Sequence, residues 1–184
     1  MVGSQWIVQP KDTARAALLA RALGISPLLA QLLINRGIGD EAAARAFLSP
    51  DLSSLADPFA MRDMGRAVER IERALRRGEP IVVYGDYDVD GQTASAVLVS
   101  VFRELSSNPA AVSFYIPNRM DEGYGLHAEA LYSLKDRAGL VVTVDCGITS
   151  VEEARLARQW GIDLIITDHH QPGPEIPDAL AVLN

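Results

Sequence analysis

The sequence predicts an α/β fold, a parallel doubly wound sheet preceded by a small helical appendage. Three observations lead there. After Gly78 short apolar runs, "IVVYGDY", "VSFYIP", "LVVTVDCG", "LIITDHH" and "LAVLN", alternate with helical stretches at about 94–105, 127–138 and 151–160. The runs are apolar throughout rather than at every second residue, so both faces of the sheet are covered, as in parallel sheets. Before about residue 60 the punctuation is that of short helices alone. The expected organisation is a helical appendage over residues 1–60 and an α/β domain over 61–184.

The elements follow in order. Asp12 or Thr13 caps "ARAALLARALG", which stops at Gly24; "SPLLAQLLINRG" stops at Gly37; Asp40 precedes "EAAARAFL". "DMGRAVERIERALRRG" places Met64, Ala67, Val68, Ile71, Ala74 and Leu75 on one helical face, with Glu69–Arg73 and Glu72–Arg76 as pairs four residues apart. Arg66, Arg70, Arg73 and Arg77 form a basic stripe on that helix, read as a solvated face. Three of these strand runs end in polar motifs, and in such sheets ligands bind outside the carboxyl ends of the strands.

At 184 residues and 48% hydrophobic, the chain can bury a real core. Its net charge of −7 is opposite to the usual footprint of a nucleic-acid binder. Carboxylates that gather divalent cations inflate the acidic count while their occupied site is locally positive, so the charge weakens that reading without reversing it. Cys146 is the only cysteine, which excludes an intrachain disulfide framework. With no signal-like or membrane-length apolar run, the cytoplasm is the expected compartment.

The chemistry is concentrated in "GDYDVDG", where Asp86, Asp88 and Asp90 occupy alternate positions before a glycine. A calcium loop of the helix–loop–helix type begins this way, but its twelfth position needs a glutamate and here holds Val97. The preceding "PIVVY" also reads as a strand, not a helix. A phosphate-cradling loop fails for want of a lysine. Asp145 ends a second strand run, and Asp168, His169 and His170 end a third. Taken singly, such groups are often helix caps or polar loops. Gathered along one sheet edge they would repel unless metal compensates them. Carboxylates with imidazole suit Mg²⁺, Mn²⁺ or Zn²⁺, histidine favours Mn²⁺ over Mg²⁺, and a bridging carboxylate would hold two ions for in-line phosphoryl displacement.

The stretches "VVYGDYDVDGQTASAVL", "TVDCGITS" and "ITDHHQPG" resemble the first three motifs of the DHH phosphoesterase superfamily. "LINRGIGDEAAARAFLSPDLSSLADPFAMRDMGRAVERI" and "YIPNRMDEGYGL" are similar to its RecJ branch, the single-strand-specific 5′→3′ DNA exonucleases. This resemblance implies a metal-dependent phosphodiesterase that releases mononucleotides from single-stranded DNA in repair and recombination. Two Mn²⁺ or Mg²⁺ ions would serve it. It further implies a single-strand-binding protein and a RecQ-type helicase as partners, with no membrane. By the same likeness Asp86, Asp88, Asp90, Asp145 and His169 are metal ligands, with Asp145 bridging. His170 contacts the scissile phosphate or assists the attacking water, and Asp168 orients a histidine. The superfamily's fourth motif and a second domain are expected beyond "ALAVLN", so the 184 residues alone are expected to be inactive or weakly active.

Cys146, beside Asp145 but without a neighbouring base, reads as a small turn residue rather than a nucleophile. Asn118, Arg119 and Tyr124 are candidate substrate-binding residues, since Arg suits phosphate and Tyr suits stacking on single strands. Two alternatives stand beside the exonuclease: a phosphoesterase of oligoribonucleotides or cyclic dinucleotides, and a non-catalytic scaffold of the same fold. A scaffold would be expected to have lost ligands, whereas the three motifs here are intact.

Overall fold

The computed structural model describes residues 7–184. It divides into two compact units, one ending at Ala56 and one spanning Asp57–Asn184.

The first unit holds three short helices, α1 (Thr13–Leu23), α2 (Pro27–Asn35) and α3 (Glu41–Leu48). Each begins where a side-chain oxygen satisfies an otherwise unpaired backbone N–H: Asp12 accepts from Arg15, Ser26 from Leu29 and Asp40 from Ala43. Pro27 fits at the first turn of α2 because no partner is needed there for its missing N–H. Ala16, Leu19, Ala20, Ala30, Leu33 and Ala44 make a small core, whose alanines let the helices approach closely.

The second unit is built on five parallel strands: β1 (Ile81–Gly85), β2 (Val112–Tyr115), β3 (Leu140–Val144), β4 (Asp163–Thr167) and β5 (Ala181–Leu183). Their order is β2-β1-β3-β4-β5, so the chain moves outward one way from β1 to β2 and the other way from β3 to β5. The reversal lies between β1 and β3, and loops leaving neighbouring strands there diverge to opposite faces and open a crevice. Along β1 successive side chains alternate faces. Ile81 and Val83 join one core with Ala67, Ala74, Leu75, Val99 and Phe102, from α4 (Met64–Arg77) and α5 (Val89–Leu105). Val82 and Tyr84 join the other with Leu131, Leu134, Ala154 and Ala157, from α6 (Ala128–Leu134) and α7 (Val151–Gln159). Burying each such Val, Ile or Leu contributes roughly 1.5–3 kcal/mol, so continuous apolar strands are the expected signature of this double cover.

Two local readings of the sequence change. Helix α5 starts at Val89, inside the acidic motif, because Asp88 caps it by accepting from the N–H groups of Asp90 and Gly91. The sequence spacing predicts a start near 94. Arg70 is not on a solvated stripe. Arg66, Arg73 and Arg77 are exposed, but Arg70 is buried and pairs with Glu79 at 2.8 Å and Asp163 at 2.5 Å. It thereby ties the residues entering β1 and β4, at the end of the sheet opposite the acidic motifs.

Glu79 and Asp163 keep 26% and 42% of their side-chain exposure, so loss of Arg70 leaves them partly hydrated rather than stranded. Arg70→Met is therefore expected to destabilise by roughly 2 kcal/mol, below the ~3–5 kcal/mol of a wholly buried broken pair. Urea unfolding of the two proteins measures it.

Candidate metal centre

Register assembles the centre. Gly85 pairs with Val144, and Val144 with Thr167, so these three strands end in line. The next residues are Asp86, Asp145 and Asp168. Asp145 donates its N–H to the Thr167 carbonyl at 3.0 Å, and Asp168 donates to Leu183 at 2.9 Å, which extends the ladder one residue into the motifs. Asp145 then turns sharply with φ of 63°, a left-handed conformation that Asp and Asn tolerate better than most side chains.

Gly91 is required by close approach. A Cβ there would lie 2.5 to 2.7 Å from the backbone N, O and Cα of Asp86, so any side chain would push the first turn of α5 off the end of β1. With glycine in place, the positive end of α5 sits against the carboxylates. The N–H of Gly91, followed by that of Asp90, holds the Asp88 carboxyl below its ordinary pKa range. Asp145 moves the other way. Burial pushes it up, and neighbouring Asp88 adds to this, while hydrogen bonding to His169 opposes it.

Two ion-sized groups of donors result. Asp86, Asp88 and Asp145 offer one ligand atom each within 4.8 Å of one another, and so do Asp145, His169 and His170. Asp145 belongs to both. One oxygen of Asp86 is buried without a hydrogen-bond partner among the described residues, a costly state that a cation would relieve. Oxygen donors with imidazole suit a borderline or hard divalent ion, so the residues fit such a cofactor. Asp90 stands outside both groups. It is exposed on the first turn of α5, although it lines the same cleft as Asp145, Asp168 and His169.

Asp168 organises the histidines. Its side chain is fully buried and accepts from the Ile148 N–H at 2.9 Å, the His169 N–H at 2.8 Å and the His170 N–H at 3.2 Å. It also meets His170 Nδ1 at 2.7 Å. Burial by itself would raise this carboxyl, but the hydrogen bonds, that of Ile148 foremost, outweigh it and hold Asp168 below its usual range. In return Asp168 raises the pKa of His170. His169 Nε2 lies 2.9 Å from Asp145 Oδ1.

The loop after β2 flanks this centre. Asn118 is taken up by the loop itself: its side chain accepts from Met120, its N–H donates to Glu122, and its carbonyl accepts from Asp121 and Glu122. Arg119 lies over the ring of Tyr87, 5.2 Å from its centroid, with its guanidinium exposed. Tyr124 reaches the metal-centre histidine, its hydroxyl 3.0 Å from His170 Nδ1. Glu122 and Tyr87 were not singled out by sequence. For Tyr87 the signal was its place between two motif aspartates; Glu122, one more acid in a loop, had none. Cys146 is fully buried with its thiol pushed up by burial, as a structural residue should be.

Residues 80–184 match the DHH family, N-terminal domain, and the chain belongs to that family. Its relatives include the single-stranded-DNA-specific exonuclease RecJ of Bacillus subtilis, 44% identical over 98% of this chain and 23% of that protein. The enzyme of the same name from Thermus thermophilus is 38% identical over 88% of this chain and 25% of its own length. The chain thus spans about a quarter of the curated relatives it matches. Among solved structures, RecJ in complex with Mn²⁺ from Thermus thermophilus covers 95% of this chain and 24% of its own, with a TM-score of 0.68 and 31% identity. Exonuclease RecJ bound to manganese covers 70% and 32%, with a TM-score of 0.63 and 38% identity.

Glu122 and Tyr115 yield a pH test. The Tyr115 hydroxyl, then the Asn118 N–H, hold the Glu122 carboxyl below its ordinary range, and Glu122 in turn pushes Tyr115 up to about 12. A depressed carboxyl stabilises the fold above its unfolded value and loses that contribution as pH falls through the folded one. Stability lost on acidification below about pH 4 should therefore be smaller in Glu122→Gln than in the parent. Denaturant titrations at pH 6 and pH 3 check this, and an identical loss would count against the pairing.

Proposed function

We propose that this chain is part of a metal-dependent exonuclease that degrades single-stranded DNA from the 5′ end and releases mononucleotides. The observation that carries the reading is Asp145, one carboxylate shared by two ion-sized donor groups. The names of the RecJ relatives and their manganese-bound structures support it. The helical unit before residue 57 and the unit after it that holds the acidic motifs would be two of its parts.

Asp86, Asp88 and Asp145 would hold one divalent ion, and Asp145 and His169 a second, with Asp90 reaching in from the cleft wall. Mn²⁺ or Mg²⁺ bound there supplies activation of water and stabilisation of charge on the phosphoryl oxygens. The chain's own residues do the rest. Asp168 holds His170 through Nδ1, so Nε2 faces away from Asp168, where it can accept from a water or, when protonated, donate to a phosphate oxygen. Arg119, set over Tyr87, which lies between two motif aspartates, offers an exposed guanidinium to a backbone phosphate. Exposed Tyr124 presents part of its ring to the same strand. Activity in DNA repair and recombination, together with a single-strand-binding protein and a RecQ-type helicase, fits this chemistry. No single helix among the described residues is long and apolar enough to cross a membrane, and a cytoplasmic setting accords with the substrate.

The direct test gives the intact protein single-stranded DNA labelled at either end, with Mn²⁺. Early release of the 5′ label as mononucleotide is expected; release only from the 3′ end, or none, sinks the proposal. Asp145→Asn keeps a residue suited to the left-handed turn while removing the shared charge. It should lower turnover by a hundredfold or more, since even partners behind a metal ligand are worth about 10–100-fold. Near-normal Mn²⁺-dependent turnover would remove Asp145 from the site. Arg119→Ala should raise KM and flatten the salt dependence of binding by about one phosphate's worth of slope. An unchanged slope would make Arg119 a structural residue.

A further inference from the structure

We propose that Tyr124 is a positioning residue that fixes the His170 imidazole through its hydroxyl. This rests on the function proposed above, in which His170 faces the reacting phosphate.

Tyr124 Oη lies 3.0 Å from His170 Nδ1 and 3.4 Å from the Asp145 carbonyl oxygen, and its ring meets the imidazole edge-on at 5.5 Å. His170 Nδ1 is also 2.7 Å from Asp168 Oδ1. The assignment of protons follows from what each group can do. Ionised Asp168 only accepts, so Nδ1 carries the hydrogen and donates to it. The Tyr124 oxygen lies close enough to share that hydrogen as a second acceptor. Its own hydrogen is then free to go to the Asp145 carbonyl. Every donor in this chain has an acceptor, and the ring is held from two directions. Asp168 restrains it from one side at Nδ1; the edge-on tyrosine limits rotation from the other. Neither contact uses Nε2.

The tyrosine is itself held. Gly123 and Gly125 on either side adopt left-handed φ values of 81° and 104°, which throws the Tyr124 side chain back toward the sheet edge. Tyr84, buried and stacked on Tyr115 at 5.0 Å, donates from its hydroxyl to the Gly125 carbonyl at 3.2 Å. Tyr115 and Asn118 grip the two oxygens of Glu122 on the other flank, at 2.5 and 2.7 Å. A side chain meant only to stack on a flexible strand needs no such bracing, and a hydroxyl meant for substrate would not be spent on a histidine and a backbone carbonyl. The same hydroxyl links the turns after β3 and β4, so one residue holds the Asp145 turn and the His170 ring in register.

The test is Tyr124→Phe in the intact protein, a change that fills the same space and removes one oxygen. With end-labelled single-stranded DNA and Mn²⁺, kcat is expected to fall roughly tenfold with KM unchanged, because misorienting a reacting group by a fraction of an ångström costs rate, not binding. In a His170→Gln background the same change should cost nothing further, since Tyr124 acts through that ring. A second readout is independent of turnover: ¹³C relaxation at the His170 ring carbons of metal-free protein should show a less ordered imidazole in Tyr124→Phe. The proposal is overturned by a raised KM with kcat intact, by an equal loss in both backgrounds, or by unchanged ring order. If the parent protein cleaves no single-stranded DNA at all, the function fails instead, and the ring-order measurement still judges Tyr124.

Discussion

Everything at the carboxyl edge of the sheet answers to the repulsion among acids that strand register forces together. Two carboxylates about 5 Å apart repel by roughly 3 kcal/mol at a surface-like effective dielectric, a large share of the ~5–15 kcal/mol that holds a domain folded. The fold tolerates the cluster by partial means. The first turn of α5 faces the acids with its N–H groups, and Asp88 takes two of them. Asp168 takes three backbone N–H groups and a histidine. Asp86 and Asp145 receive less: one Asp86 oxygen has no partner among the described residues, and Asp145 is pushed up by its burial. Both of these less compensated acids lie within ion-sized groups, and Asp145 lies in two.

The topology determines why this happens where it does. In the order β2-β1-β3-β4-β5 the crevice opens between β1 and β3, the strands that Asp86 and Asp145 follow. Gly91 lets α5 start almost in contact with Asp86, so the helix terminus and the strand end share the same few ångströms. At the other end of the sheet Arg70 performs the opposite task, neutralising Glu79 and Asp163 with the chain's own cation. One edge is closed electrostatically from within, and the other keeps acids that the protein compensates only in part.

Around the centre, the loop after β2 is braced by hydrogen bonds. Tyr84, Tyr115, Asn118 and Glu122 spend polar groups on holding it, while Arg119 lies over Tyr87 and Tyr124 reaches His170. That division of labour separates residues that look equally polar in the sequence. Asn118 is absorbed by its own turn, whereas Tyr124 reaches a histidine 46 positions away.

The sequence by itself determined the class of fold, because apolar runs of strand length alternating with helices leave few ways to cover both faces of each strand. It also determined which residues meet: a parallel sheet sends every strand end to the same edge, so Asp86, Asp145 and the Asp168–His170 run had to be neighbours. What only the tertiary structure decided are the roles within that set. Alternation along "DYDVDG" treats its three aspartates alike, yet Asp88 caps α5, Asp90 stands exposed on its first turn and Asp86 is buried, a difference set by where the helix begins. Helical periodicity put Arg70 on a stripe with Arg66, Arg73 and Arg77, but Glu79, just before β1, and Asp163, at the start of β4, draw it inward. Tyr124 meets His170 46 positions away and Arg70 meets Asp163 93 positions away, since hydrogen bonds and ion pairs across the fold are chosen by three-dimensional proximity, and local sequence carries no record of that.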